Sequence, residues 1–219
     1  RSSMKKLVIF DLDGTLLNTI ADLAHSTNYA LNKLGYHTHE IEKYNFMVGN
    51  GIDKLFERAL PEEEKSKENV LRVRKEFVPY YDIHNADDSR PYPGIPELLS
   101  YLQDAGVQIA VASNKYQAAT QKLVDHYFPE IHFTAVLGQR EGVKVKPDPI
   151  IVSDILEIAK VAKEEALYVG DSGVDMQTAA NAGVTACGVT WGFRPRTELE
   201  EFNPSYIADT AGEIKNLIL

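Results

Sequence analysis

The stretch Leu7-Val8-Ile9-Phe10-Asp11-Leu12-Asp13-Gly14-Thr15-Leu16 constrains this chain more than any other. An apolar run of strand length ends in two carboxylates one residue apart, and a glycine and a threonine then turn the chain. Such a run bounded by turn residues reads as a buried strand. Two acids this close at a strand end disfavour each other's charge unless a positive group sits with them. A divalent cation meets that need, because Mg²⁺ takes hard oxygen ligands and commonly only a few protein carboxylates. The stretch therefore predicts a strand that ends in a metal-assisted site pivoted on Asp11.

Beyond it, apolar residues at 20, 23, 24, 27, 30, 31 and 34 have helical spacing, and Gly35 is a natural stop. Val48-Gly49-Asn50-Gly51 marks a tight loop, 52–60 a short helix stopped by Pro61, and 62–81 one amphipathic helix with a solvated face. No convincing strand falls between residues 18 and 88. The breaker cluster Arg90-Pro91-Tyr92-Pro93-Gly94 then changes the pattern. Helices are expected at 95–105, 116–127, 149–160 and 174–182, and from Ala211 onward. Strands are expected at 107–112, 133–137, 166–169, 184–189 and 206–208. This alternation predicts parallel strands with crossover helices. The expected architecture is an α/β doubly wound (Rossmann-like) parallel sheet, residues 1–17 and 92–219, interrupted by an inserted α-helical domain, residues 18–91.

In open sheets of this kind ligands sit beyond the carboxyl ends of the strands. Asp11 and Asp13 follow the first strand, Ser113-Asn114-Lys115 the strand at 107–112, and Gly170-Asp171-Ser172-Gly173-Val174-Asp175 the strand at 166–169. Lys144-Val145-Lys146-Pro147 comes after the strand at 133–137. Acids, hydroxyl and amide groups and a lysine thus converge on one edge. Taken singly, each of these is an ordinary turn, cap or solvated loop residue; four in order at four strand ends are not.

In that order, Asp11-Leu12-Asp13-Gly14-Thr15, Ser113-Asn114, Lys146-Pro147 and Gly170-Asp171-Ser172-Gly173-Val174-Asp175 resemble the four motifs of the haloacid dehalogenase-like hydrolase superfamily. Residues 18–91 look like its helical cap domain. Tyr92-Pro93-Gly94, Val48-Gly49-Asn50-Gly51 and Ser113-Asn114-Lys115 resemble its phosphoglycolate phosphatase branch. The resemblance implies a Mg²⁺-dependent phosphatase acting on a small phosphomonoester, with 2-phosphoglycolate the leading candidate, through an aspartyl-phosphate intermediate. By the same resemblance Asp11 is the nucleophile and Asp13 the proton donor and acceptor, while Lys146 neutralises charge on nucleophile and phosphate. Asp11, the Asp13 carbonyl and Asp171 are the metal ligands, Asp175 supports the metal site from behind, and Thr15, Ser113 and Asn114 bind phosphate. A β-phosphoglucomutase-like phosphomutase, a pyrophosphatase and a non-catalytic phosphate-binding protein are the alternatives on the same fold.

Composition narrows the partners. Lys and Arg number 23 against 32 Asp and Glu, a net charge of −9. That balance argues against a nucleic-acid partner. No apolar run approaches the roughly 20 residues that span a bilayer, and the apolar run after Lys5-Lys6 is too short for a signal-peptide core. Arg1-Ser2-Ser3 ahead of Met4 reads as a cloning remnant. The lone cysteine, Cys187, reads as a buried thiol in a reducing compartment, so a cytoplasmic protein is expected. The six histidines have no zinc-ligand spacing. Trp191-Gly192-Phe193-Arg194 reads as core or rim packing near the site mouth, and Arg58 as a solvated helix arginine that reaches a substrate carboxylate only if the insert closes.

Overall fold

The computed structural model describes residues 4–218, so the reading of residues 1–3 lies outside the described residues. In chain order its elements are β1 (Leu7–Phe10), β2 (Leu17–Asn18), α1 (Ile20–Lys33), α2 (Ile52–Ala59), α3 (Lys67–His84), β3 (Arg90–Pro91), α4 (Ile95–Asp104) and β4 (Gln108–Tyr116). These are followed by α5 (Gln117–Tyr127), β5 (Ala135–Gln139), α6 (Ile150–Ala159), β6 (Ala166–Gly170), α7 (Gly173–Ala182), β7 (Thr185–Val189), α8 (Arg196–Glu200), β8 (Tyr206–Ala208) and α9 (Ala211–Lys215). Six strands form one parallel sheet in the order β5-β4-β1-β6-β7-β8. The chain starts at β1, builds outward to β5, then crosses back to β6. That reversal beside β1 is where doubly wound sheets open a ligand crevice.

Alternate residues of each strand face opposite ways, and the two faces carry separate cores. Val8, Phe10, Ile109, Val111, Leu167 and Val169 pack against α4, α5 and α9 through Leu98, Leu102, Leu123 and Ile214. Leu7, Ile9, Ala110, Ala112 and Tyr168 pack against α6 and α7 through Ile151, Ile155, Met176 and Ala179. β1 is covered on both faces, which is why it reads as an unbroken apolar run rather than an alternating one.

Between β2 and β3 the chain is helical, with a third core that includes Leu31, Tyr44, Phe56, Phe77 and Tyr81 and is joined by Ala119 and Phe193 from the α/β part. β2 and β3, where the chain leaves and returns, pair antiparallel, Leu17 with Pro91 and Asn18 with Arg90. These short strands have too few residues to show a period in sequence. Several boundaries differ from expectation, β5 among them at Ala135–Gln139 rather than 133–137, and two have a visible cause. α3 begins at Lys67 rather than 62, because the Ser66 hydroxyl accepts the Asn69 N–H at 3.1 Å and caps it there; residues 62–64 form a separate 3-10 turn. β4 runs on to Tyr116, past the expected end at 112, with a register shift before Tyr116 pairs with Gln139. Gly138 permits this, since a Cβ there would collide with the Lys115 carbonyl oxygen. Ser113, Asn114 and Lys115 therefore lie within the strand's last turns of pleat, not after it.

Candidate active site

Asp11 continues β1 by donating its N–H to the Val169 carbonyl at 3.0 Å. Its Oδ1 accepts from the Leu12 N–H at 2.8 Å and from Lys146 Nζ at 3.1 Å. Gly14, at φ +86°, makes the turn that follows, and a Cβ there would run into the Asp171 carboxylate. The same carboxylate would collide with a side chain at position 192. Two glycines thus make room for Asp171 beside Asp11.

Lys146 is the hub. Its ammonium, 2% exposed, lies 2.8 Å from the Ala112 carbonyl, 3.0 Å from the Tyr168 hydroxyl, 2.9 Å from Asp175 Oδ1 and 3.1 Å from Asp11 Oδ1. Asp175 Oδ1 also accepts the Tyr168 hydroxyl at 2.7 Å, while its Oδ2 accepts the Asp171 N–H at 3.1 Å and the Ser172 hydroxyl at 3.1 Å. Burial pushes the Asp175 carboxyl up, but the charge and hydrogen bonds of Lys146 and Tyr168 outweigh it and hold the group below its ordinary value. Asp11 moves the other way: burial, then the Asp175 charge, raise it well above the usual range despite Lys146. Asp171 is raised to about 7 by burial and then Asp175, against hydrogen bonds from the Phe193 N–H at 3.0 Å and the Thr15 hydroxyl at 3.1 Å. Carboxylate oxygens of Asp11, Asp171 and Asp175 lie within 4.8 Å of one another. Asp11 and Asp175 therefore share one ammonium, while Asp171 beside them is held by neutral donors.

Asp13, half-buried, faces a second lysine. Its Oδ1 accepts from the Thr19 hydroxyl at 2.5 Å and from Lys115 Nζ at 3.2 Å. Lys115 also donates to the Tyr81 hydroxyl of α3 and lies 4.4 Å from the centre of that ring. Burial lowers the Lys115 ammonium below its ordinary value, with Asp13 pulling the other way. The Asn114 amide joins three segments: it donates to the Gly49 carbonyl at 2.9 Å and the Lys146 carbonyl at 3.1 Å, and accepts the Lys146 N–H at 2.8 Å. Arg194 donates to the carbonyls of Asn45 and Val48, both at 3.0 Å, and to Glu198 at 2.9 Å. Asn114 and Arg194 thereby hold the 45–51 loop over the strand ends. The pocket so formed is lined by Asp11, Asp13, Ser113, Lys115 and Asp171 from the sheet, and by Leu23, Val48, Ile52 and Leu55 from the insert.

A family profile described as haloacid dehalogenase-like hydrolase matches residues 8–189. The chain belongs to that family. This hydrolase is 32% identical over 218 residues to a phosphoglycolate phosphatase of Vibrio parahaemolyticus, covering 97% of this chain and 96% of that one. It is 33% identical over 205 residues to the phosphoglycolate phosphatase of Mesorhizobium japonicum, covering 93% of this chain and 90% of the relative. A crystal structure of a candidate phosphoglycolate phosphatase from Lactobacillus delbrueckii subsp. bulgaricus superposes with a TM-score of 0.93, at 33% identity and 99% coverage of both chains.

In the hydrolase, the residues singled out by sequence gather at the strand ends, with one difference in what they touch. Thr15 is fully buried and spends its hydroxyl on Asp171, whereas Ser113 and Asn114 line the pocket. Arg58 is half-buried and donates to the Met47 carbonyl at 3.0 Å, so it is neither solvated nor a lining residue. Cys187 is a buried free thiol, its pKa pushed up to about 12 by burial. Among the described residues no helix is long and apolar enough to cross a membrane. Two contributors had no sequence signal of their own, Tyr168 and Tyr81. Trp191-Gly192-Phe193-Arg194 was legible as rim. Its position after an apolar strand, like that of the other motifs, is the signal that marks it as more than packing: the Trp191 indole donates to the Thr15 carbonyl at 2.9 Å, one residue from Gly14.

Proposed function

We propose that this hydrolase is a Mg²⁺-dependent phosphatase that cleaves a small phosphomonoester, 2-phosphoglycolate first among candidates, through an aspartyl-phosphate on Asp11. The observation that carries this reading is the buried set Asp11–Lys146–Asp175 with Asp171 at the sheet's ligand edge. Relatives named as phosphoglycolate phosphatases, aligned over nearly the whole chain, support the substrate class.

The residues fit Mg²⁺. The donors are all hard oxygens, and three carboxylates against a single ammonium leave buried negative charge uncompensated, as the raised Asp11 and Asp171 register. Asp11, the Asp13 carbonyl and Asp171 would hold the ion, with Asp175 fixing the Asp171 backbone. When bound, the ion supplies positive charge that lets an anionic phosphate approach a carboxylate.

The remaining steps belong to the chain. An Asp11 oxygen attacks phosphorus and the ester P–O bond breaks, the departing oxygen taking a proton from Asp13. Asp13 then removes a proton from water as that water attacks the acyl phosphate, which releases phosphate and restores Asp11. Lys146, fixed by the Ala112 carbonyl and Tyr168, keeps Asp11 oriented and its charge offset. Ser113 donates its hydroxyl to a phosphate oxygen, and Asn114, whose side-chain N–H groups are held by the Gly49 and Lys146 carbonyls, serves the phosphate from its backbone N–H while its side chain fixes the Lys146 backbone. Residues 18–91 act as a cap on the core formed by residues 1–17 and 92–219, excluding bulk water during the first step.

The test is kcat/KM with Mg²⁺ across 2-phosphoglycolate, sugar phosphates, nucleotides and pyrophosphate. The expected result is a clear preference for 2-phosphoglycolate and loss of all turnover on chelation. A preference for a sugar phosphate or pyrophosphate overturns the substrate, and turnover that survives chelation overturns the metal.

A further inference from the structure

The proposed chemistry leaves one charged group in the pocket without a task. Lys115 is 5% exposed, yet it lines the pocket beside Asp11 and Asp13. The other cations there are fully engaged. Lys146 is held by Asp11, Asp175, Tyr168 and the Ala112 carbonyl, and Arg194 by two loop carbonyls and Glu198. Lys115 has a single anionic partner, Asp13 Oδ1, which the Thr19 hydroxyl shares. Its other neighbour, Tyr81, is a neutral phenol from the insert.

In the reaction proposed above, Asp13 serves the oxygen of the leaving group. With Asp13 turned to the leaving group through its other oxygen, Lys115 keeps only the Oδ1 contact that it already shares with Thr19, a thin offset for a buried ammonium. A second anion beside Lys115 completes its pairing. The insert side of the pocket is apolar, made by Leu23, Val48, Ile52 and Leu55, so the protein offers no such anion there. It does offer a second attraction for negative charge. Gly51, the residue before α2, lines the same pocket and has no side chain to cap the helix start. The free N–H groups at a helix start favour an anion.

We infer that Lys115, aided by the open start of α2, is the specificity-determining residue of this enzyme, a subsite for a carboxylate carried by the substrate itself. The inference rests on the phosphatase reading and narrows it: the preferred substrate is an acidic phosphomonoester with two anionic ends, one for the Asp11 site and one for Lys115. A neutral ester of the same size fills the Asp11 site and leaves Lys115 with only its shared Asp13 contact. Tyr81 orients the ammonium from the insert, so the subsite is complete only when insert and sheet are together.

The experiment compares 2-phosphoglycolate with ethyl phosphate, which matches it in size but lacks the carboxylate, with Mg²⁺ present. Wild-type enzyme is expected to favour 2-phosphoglycolate in kcat/KM by on the order of 100-fold, the worth of a buried charge-assisted contact. In Lys115→Met that ratio collapses to within a few-fold of one, chiefly through KM for 2-phosphoglycolate, and Lys115→Arg restores part of it. Equal losses on both esters overturn the inference, because they mean that Lys115 only positions Asp13. Wild-type enzyme that hydrolyses both esters equally well overturns it without any variant while leaving the phosphatase reading intact. Wild-type enzyme that hydrolyses neither overturns both.

Discussion

Lys146 and Lys115 divide the two carboxylates of the opening motif between them, and the division separates their environments. Asp11 sits among other acids with a shared ammonium, while Asp13 has a lysine and a hydroxyl of its own. Changing Asp11→Asn keeps the shape and the Leu12 N–H contact but removes the attacking charge. It should lower kcat by at least roughly 1000-fold with little change in melting temperature; substantial residual turnover would sink Asp11 as the nucleophile. Lys146→Met strips the ammonium that pairs Asp11 and Asp175, and breaking such a buried pair from one side costs about 3–5 kcal/mol. Urea unfolding should show that loss, and a change under 1 kcal/mol would mean the acids carry little charge without Mg²⁺. Asp11, Asp13, Lys146, Asp171 and Asp175 were legible in the sequence because each lies in a short motif tied to a strand end. Tyr168 and Tyr81 were not. Their hydroxyls matter through partners on other elements, Asp175 and Lys146 for one and Lys115 for the other, and in sequence both look like apolar core positions.

At the scale of elements, the joint between sheet and insert depends on a buried carboxylate in the first turn of α1. Asp22 accepts the Asp88 N–H, the Ser89 N–H at 2.8 Å and the Ser89 hydroxyl at 2.6 Å, just ahead of β3. His25 and Asp88 stand close enough to complete a metal-like trio. The Asp22 oxygens, however, are already taken by these donors, so the trio acts as a clasp between the two crossing segments. Asp22→Ala should cost about 2–3 kcal/mol in denaturant unfolding, since it orphans buried backbone donors. A loss below 0.5 kcal/mol would mean that water replaces the carboxylate. The helices and parallel strands were legible because their apolar periods are long and their breakers strong. The β2–β3 ribbon and the clasp were not, because pairing Asn18 with Arg90 is a relation between residues too few to show a pattern. The end of β4 was misread for a related reason: Ser113-Asn114-Lys115 has turn-like chemistry, and only the close approach of Gly138 keeps it extended.

For the whole molecule, the acid cluster ties stability to pH and, under the proposed metal binding, to Mg²⁺. In the unfolded chain Asp171 loses its proton near 3.8, whereas in the metal-free fold it holds it to about 7, and Asp11 is displaced in the same direction. The native state thus binds more protons across this window. The contribution is fully present below pH 4 and is lost as pH rises toward 7. Asp175 acts oppositely, its contribution present above the ordinary carboxylate range and lost in acid. Metal-free protein should therefore melt several degrees higher at pH 5 than at pH 8. Mg²⁺ held as proposed should reverse the trend, because it would bind the folded carboxylates and compete with their protons. At 100 times its dissociation constant a ligand adds about 2.7 kcal/mol, or about 5–10 °C for a chain of this size. That rise should be full at pH 8, reduced at pH 5, and absent at both in Asp171→Asn. Melting curves at the two pH values, with and without Mg²⁺, check all of it. An equal Mg²⁺ shift at both would mean that the ion binds away from these carboxylates, and with it the metal assignment of Asp11 and Asp171 would fall.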